Sequence, residues 1–279
     1  SNNMWRLDKP SLQKAKDDLN NIVAHCRAID NADKIAFENL YDEYDRKGYI
    51  SEEYHLSFSS AHPAQVKAMY GQYRKLGDKQ EYGYIREELS EAADTCPYCG
   101  FGEPVTLDHY MPESIYKELA TCRLNLVPIC WKCNNKKIDN DYKGFSHVYY
   151  QDFPKGVIFF KCKVVANASG LISFDFYIDG RNLDSSLVEK LENQIEVIEL
   201  SKRLNKECIT FITSNFVLES LVNNEALKFF ISDRLKKATD YYGNNDWHTA
   251  LLQGLYDCKE FDIVCLKQFI GKNKRKVLV

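Results

Sequence analysis

The chain has 279 residues, of which 44% are hydrophobic and 13% aromatic, so it suits one large or two smaller folded domains and excludes a disordered protein. Its formal net charge of −3 gives no overall electrostatic case for nucleic acid, although a local patch can still meet phosphate. No apolar run approaches the ~20 residues of a membrane span, and no charged-then-apolar signal pattern opens the chain, so a cytoplasmic protein without membrane contact is expected.

Residues 4–95 read as an N-terminal helical region. Leu12, Ala15, Leu19, Ile22 and Cys26 recur at steps of three and four, which is one apolar helix face. A second helix is expected near 32–46. Residues 48–60 are polar and aromatic, without a clear period. Pro63 suits the first turn of a third helix, with Val66, Met69, Tyr70 and Tyr73 on its buried side. A fourth is expected near 80–93. His25, His55 and His62 stand alone and read as surface or packed histidines.

Residues 96–150 carry the chemistry. Cys96-Pro97-Tyr98-Cys99 and Cys130-Trp131-Lys132-Cys133 are two Cys-x-x-Cys pairs with 30 residues between them. Each pair turns tightly enough for both sulfurs to face one ion, so one structural, four-thiolate Zn²⁺ is expected. The other cysteines (Cys26, Cys122, Cys162, Cys208, Cys258, Cys265) read as buried small hydrophobes rather than disulfide partners.

Between the pairs, a short strand should run to His109 and a second should span 125–129. A short helix should follow from about Trp131, completing a ββα unit. Asp108 and His109 are adjacent on the first strand and would point to opposite faces, unless the strand breaks at His109. Asn134 sits on the first turn of the helix, where its oxygen can join Asp108 in holding a hard cation such as Mg²⁺. Lys137, three residues further on the same helical face, is a candidate phosphate contact, with Lys136 beside it. Asn125 can hydrogen-bond across the loop and fix the backbone near His109. Over 96–145, six Lys and Arg face six Asp and Glu, so any nucleic-acid-binding reading rests on site chemistry rather than on charge.

Residues 151–279 should form a β-hairpin and a C-terminal helical region. Val157 to Phe160 reads as a strand. Ile172, Phe174, Phe176 and Ile178 alternate with polar positions as a half-buried strand, with the turn at 166–170. Ser186 and Glu189 read as a capping box opening a helix. Further helices are expected at 206–222, 225–238, 247–257 and 259–270. The basic run 272–276 is either a solvated tail or a phosphate contact.

The pattern Cys96-x-x-Cys99, Asp108-His109, Asn125, Cys130-x-x-Cys133-Asn134-x-x-Lys137 resembles the HNH nucleases of the ββα-metal (His-Me finger) superfamily. The resemblance covers about forty residues. The third signature position is often His in that family; here it is Asn134, as in a known subgroup. The resemblance implies an endonuclease that hydrolyses phosphodiester bonds of DNA. His109 would take a proton from water, and a catalytic Mg²⁺ or Mn²⁺ would sit on Asp108 and Asn134.

The wording Asp108-His-Tyr-Met-Pro-Glu-Ser114 and Asn125-Leu-Val-Pro-Ile-Cys130, with His147-Val-Tyr-Tyr150 downstream, resembles more narrowly bacterial HNH proteins of antiphage defence. The nuclease subunit of Septu-type systems, which works beside an ATPase, is one of these. A companion ATPase is therefore an expected partner besides DNA. One ββα site cuts one strand at a time, so double-strand cleavage would imply a homodimer, for which the flanking helices are long enough, or two sequential hits. His147 would either approach the site or pack against a strand edge.

The expected fold is α+β and mostly helical: a zinc-stapled ββα unit flanked by helices, with a short hairpin after it. The rival reading is a non-catalytic zinc-ribbon adaptor for nucleic acid or protein. Such an adaptor has no need of Asp108-His109 with Asn134.

Overall fold

The computed structural model describes residues 4–137 and 142–273. Among them lie eleven α-helices and two two-stranded antiparallel hairpins, an α+β and mostly helical fold. The chain divides into two compact units, 1–152 and 153–279, so the expected 4–95 and 96–150 regions share one unit.

The apolar periodicity at the start forms α1 (Leu12–Ala24), whose first turn is capped by the Ser11 hydroxyl accepting from the Lys14 amide. In α2 (Asn31–Lys47), Asp30 and Asp33 make a reciprocal capping box, and Gly48 ends the helix at φ 77°. Residues 48–60, aperiodic in sequence, contain a further helix, α3 (Glu52–Ala61), capped by Ser51. Only Phe58 of that helix is buried, so it shows no apolar stripe. Next come α4 (Pro63–Gln72) and α5 (Gly83–Glu91).

Strands β1 (Thr106–His109) and β2 (Leu126–Ile129) pair antiparallel, Thr106 with Ile129 through His109 with Leu126. Helix α6 (Trp131–Lys137) follows directly. Helix α5 packs on both strands through its buried Ile85 and Leu89. Arg123, in the loop before β2, is buried in an ion pair with Asp18 of α1 and also reaches Glu88 of α5. These contacts tie the ββα unit to the helices that precede it.

In the second unit, β3 (Phe160–Ala166) pairs with β4 (Ile172–Ile178). β3 starts only at Phe160, later than expected, because Asn245 Oδ1 takes the Phe159 and Phe160 amides at 2.7 and 3.1 Å. Five helices follow: α7 (Ser185–Val197), α8 (Leu200–Asn215), α9 (Asn224–Tyr242), α10 (Trp247–Asp257) and α11 (Ile263–Asn273). The cap of α7 is Asp184, which accepts from the Ser186 amide and hydroxyl, and not the Ser186–Glu189 box.

The helix expected at 206–222 starts at Leu200 instead, because Glu199 at φ 49° turns the chain there and Leu204, Cys208 and Ile212 continue one buried face. Gly254 lets α10 lie directly on β3: a Cβ there would fall 2.5 Å from the Cys162 carbonyl oxygen. Lys272 donates to the Ser169 carbonyl at 2.6 Å, while residues 274–276 of the basic run lie outside the described residues. Among the described residues, no helix is long and apolar enough to cross a membrane.

Candidate active site

The four knuckle cysteines converge. Their sulfurs, all on buried residues, lie within 4.8 Å of one another, and the Cys99 and Cys130 sulfurs are 3.8 Å apart. Zn–S bonds of about 2.3 Å in a tetrahedron place sulfurs roughly 3.8 Å apart, so the group fits one zinc ion. The Gly102 and Cys133 amides point at the Cys99 and Cys130 sulfurs, each at 3.4 Å. Gly102 has to be a glycine, since a Cβ there would lie 2.7 Å from Cys130 Sγ. Burial, followed by the neighbouring sulfurs, pushes the Cys96 thiol well above the usual range. Four sulfurs in this space ionise together only around a cation. The other six cysteines are buried and unbridged.

The second knuckle joins β2 to α6 and so holds the helix against β1. Asp108 faces that helix. Lys137 Nζ lies 3.0 Å from Asp108 Oδ1 and 2.7 Å from Oδ2, and donates to the His109 carbonyl at 3.0 Å. Burial raises the Asp108 carboxyl above its ordinary pKa, and the Lys137 ammonium opposes that shift.

His109 turns its ring the other way. Its Nε2 lies 2.8 Å from the Ala120 carbonyl oxygen and therefore donates to it, which leaves Nδ1 as the accepting nitrogen. Nδ1 is 3.6 Å from Glu113 Oε2, and the Tyr73 ring meets the imidazole edge-on at 4.6 Å. Burial pulls the His109 pKa down to about 4, against the Ala120 hydrogen bond, which raises it. The imidazole is thus neutral near pH 7 with one nitrogen open to accept, the state a general base needs. No strand break occurs at His109. It stays in register with Leu126, and the Tyr110 amide still donates to the Asn125 carbonyl at 2.9 Å. Lys137 links Asp108 and His109, holding the first by its carboxylate and the second by its backbone carbonyl.

Asn125 is fully buried and spans the loop to Met111. Its Oδ1 accepts from the Met111 amide at 2.8 Å, and its Nδ2 donates to the Met111 carbonyl at 3.1 Å. The Tyr44 hydroxyl donates to the same Oδ1 at 2.9 Å. Behind Tyr44 stands His147. Its Nδ1 accepts the Tyr149 amide at 3.3 Å, so its Nε2 carries the proton and donates to the Tyr44 oxygen at 3.0 Å. Burial holds the His147 pKa well below the usual range. His147 thus reaches the site through Tyr44 and Asn125, and its ring packs on that of Tyr110, next to His109, at 4.0 Å. It opens a turn rather than lying at a strand edge.

Asn134 is half-buried on α6, on the helix that faces Asp108. An Asp carboxylate with an Asn oxygen is a donor set suited to a hard cation, and the Lys137 ammonium on Asp108 stands where a cation would. Lys136 is half-buried at the end of α6. Lys137, expected at a phosphate, is instead buried on Asp108.

Several contributors escaped the sequence reading. Tyr44 is spaced like an ordinary core residue of α2. Glu113 lies four residues after His109, between Pro112 and Ser114, and that spacing is its one signal in the sequence. The Ala120 carbonyl leaves no side-chain trace. His55, read as isolated, packs its Nδ1 on the buried Glu118 at 2.5 Å and pins the turn that presents Ala120.

A hairpin, two cysteine knuckles and a short helix together define a ββα unit whose four cysteines could hold a zinc ion. Residues 96–140 match the family model described as HNH endonuclease. No curated protein and no solved structure matches the chain. The match covers both knuckles, both strands and α6, and it supports a nuclease-type function that uses a divalent metal.

Proposed function

We propose that the chain is a metal-dependent HNH endonuclease that hydrolyses phosphodiester bonds of DNA. The observation that carries this reading is His109, a neutral imidazole locked by Nε2 on the Ala120 carbonyl with Nδ1 left to accept. Water gives a proton to Nδ1 as its oxygen bonds to phosphorus. The P–O3′ bond breaks in line with the attack, leaving a 5′-phosphate and a 3′-hydroxyl that takes its proton from solvent. Glu113, beside Nδ1, stabilises the imidazolium formed. The Asn125–Met111 pair keeps the loop after His109 in place. Asp108 and Asn134 would hold Mg²⁺ or Mn²⁺, which when bound supplies positive charge at the leaving oxygen. Zinc on the four cysteines is structural, since four protein ligands leave no open position.

The first unit carries 19 Lys and Arg against 24 Asp and Glu, and the second 18 against 16. The unit that holds the site is therefore acidic, and tight DNA binding calls for help from a second copy or from another protein. A companion ATPase in a cytoplasmic bacterial antiphage or restriction system fits both that need and the sequence resemblance. The rival zinc-ribbon adaptor leaves the His109 arrangement without a use.

The test is supercoiled plasmid with Mg²⁺ or Mn²⁺, the parent protein beside His109→Ala. The expected result is nicked or linear plasmid from the parent alone. Equal cutting by both removes His109 from the mechanism. Cutting by neither, with a companion ATPase supplied, favours the adaptor.

A further inference from the structure

Lys137 is 1% exposed and Asp108 is 7% exposed. One ammonium touches both Asp108 oxygens and the His109 carbonyl, all within 3.0 Å, with the Phe145 ring 5.7 Å away. A carboxylate this deep needs a positive partner, and removing that partner leaves an uncompensated charge. The same carboxylate faces the helix that carries Asn134. An ammonium and a divalent ion held together on one buried carboxylate repel each other strongly in a low-dielectric setting.

Resting on the endonuclease reading, we propose that Lys137 and the divalent ion are alternative occupants of Asp108. While it sits on Asp108, Lys137 neutralises the carboxylate and keeps the site folded. When Mg²⁺ or Mn²⁺ binds, the ammonium leaves the carboxylate and becomes available to the substrate phosphate, whose negative charge draws it out. Metal loading and phosphate binding then favour one another. One residue thus serves first as the counter-ion of an idle site and afterwards as a contact of the working one.

The test is Mn²⁺ binding to the zinc-loaded full chain, followed by the electron paramagnetic resonance of free Mn²⁺. The parent is compared with Lys137→Met, which keeps the length and apolar stem, and with Asp108→Asn. Lys137→Met should bind Mn²⁺ at least about tenfold more tightly than the parent, and Asp108→Asn should lose the binding. Equal or weaker binding by Lys137→Met, with the loss in Asp108→Asn intact, overturns the exchange and leaves the endonuclease site standing. No binding by the parent or Lys137→Met, or binding that Asp108→Asn does not change, overturns both.

Zinc content reports folding of the variants. Should Lys137→Met fail that check, the parent alone decides through acylation of Lys137 by an amine-reactive reagent, read by mass spectrometry. Labelling that rises with Mn²⁺ supports the exchange. Labelling unchanged at saturating Mn²⁺ overturns it.

Discussion

Two sites within the ββα unit handle charge in opposite ways. At the knuckles, four sulfurs crowd within 4.8 Å, and their ionisation together has to be met by an ion. At the strand end, Asp108 already has its cation in Lys137. The first site is expected to depend on a bound ion for its shape. At the second, a divalent ion would have to displace the Lys137 ammonium from Asp108. Changes at the knuckles should therefore unfold the unit, whereas changes around His109 should silence it while leaving it folded.

The largest effect should come from the knuckles. Structural zinc contributes about 10–16 kcal/mol in isolated zinc-finger peptides. Cys99→Ser, or a strong chelator, should therefore abolish the native near-ultraviolet circular dichroism of the first unit. A zinc-free protein that keeps that signal would break the comparison. Next comes His109→Ala, which should slow cleavage by about 10²–10⁴-fold, the usual contribution of a general base. Zinc content should stay at the parent level, and a loss of zinc in this variant would blur the distinction drawn between the two sites.

A smaller effect separates support from chemistry. Asn125→Ala strips partners from the buried Met111 amide and carbonyl and from the Tyr44 hydroxyl. Denaturant unfolding should show a loss of about 2–4 kcal/mol, and Tyr44→Phe should lose about 1 kcal/mol. A larger loss for Tyr44→Phe than for Asn125→Ala would place the clamp elsewhere.

The smallest effect is the pH response of His147. Its folded pKa is depressed by burial. Below the ordinary histidine value of about 6.5, the unfolded chain therefore binds the extra proton. Stability from this group is complete above that pH and declines as pH falls beneath it. His147→Gln should flatten that acid slope in unfolding curves taken across the range, and an unchanged slope would remove His147 as its source.

What could be read from the residues was what is local. The knuckle spacing, the strand to His109, the helix after Cys130 and the alternation from Ile172 to Ile178 are each contained in a few consecutive positions. The misses have long-range causes. The start of β3 is decided by Asn245, about 85 residues away. Helix α3 lacked a stripe because one residue of its ten is buried.

The site divides in the same way. Asp108, His109, Asn125 and Asn134 sit in one contiguous motif. Their supports do not: Tyr44 precedes Asn125 by 81 positions, and the acceptor for His109 is a backbone carbonyl. Lys137 was visible as a basic residue at the right helical step. Its side chain nonetheless turns inward, because a buried Asp108 outcompetes solvent for the ammonium.

In the proposed mechanism His109 activates water against phosphorus with the 3′-oxygen leaving. The most direct measurement is end-group analysis of a labelled DNA duplex cut by the parent protein with Mn²⁺, beside His109→Ala. The parent should give 5′-phosphate and 3′-hydroxyl ends, and the variant almost no product. Ends carrying a 3′-phosphate, or equal product from His109→Ala, would contradict this mechanism.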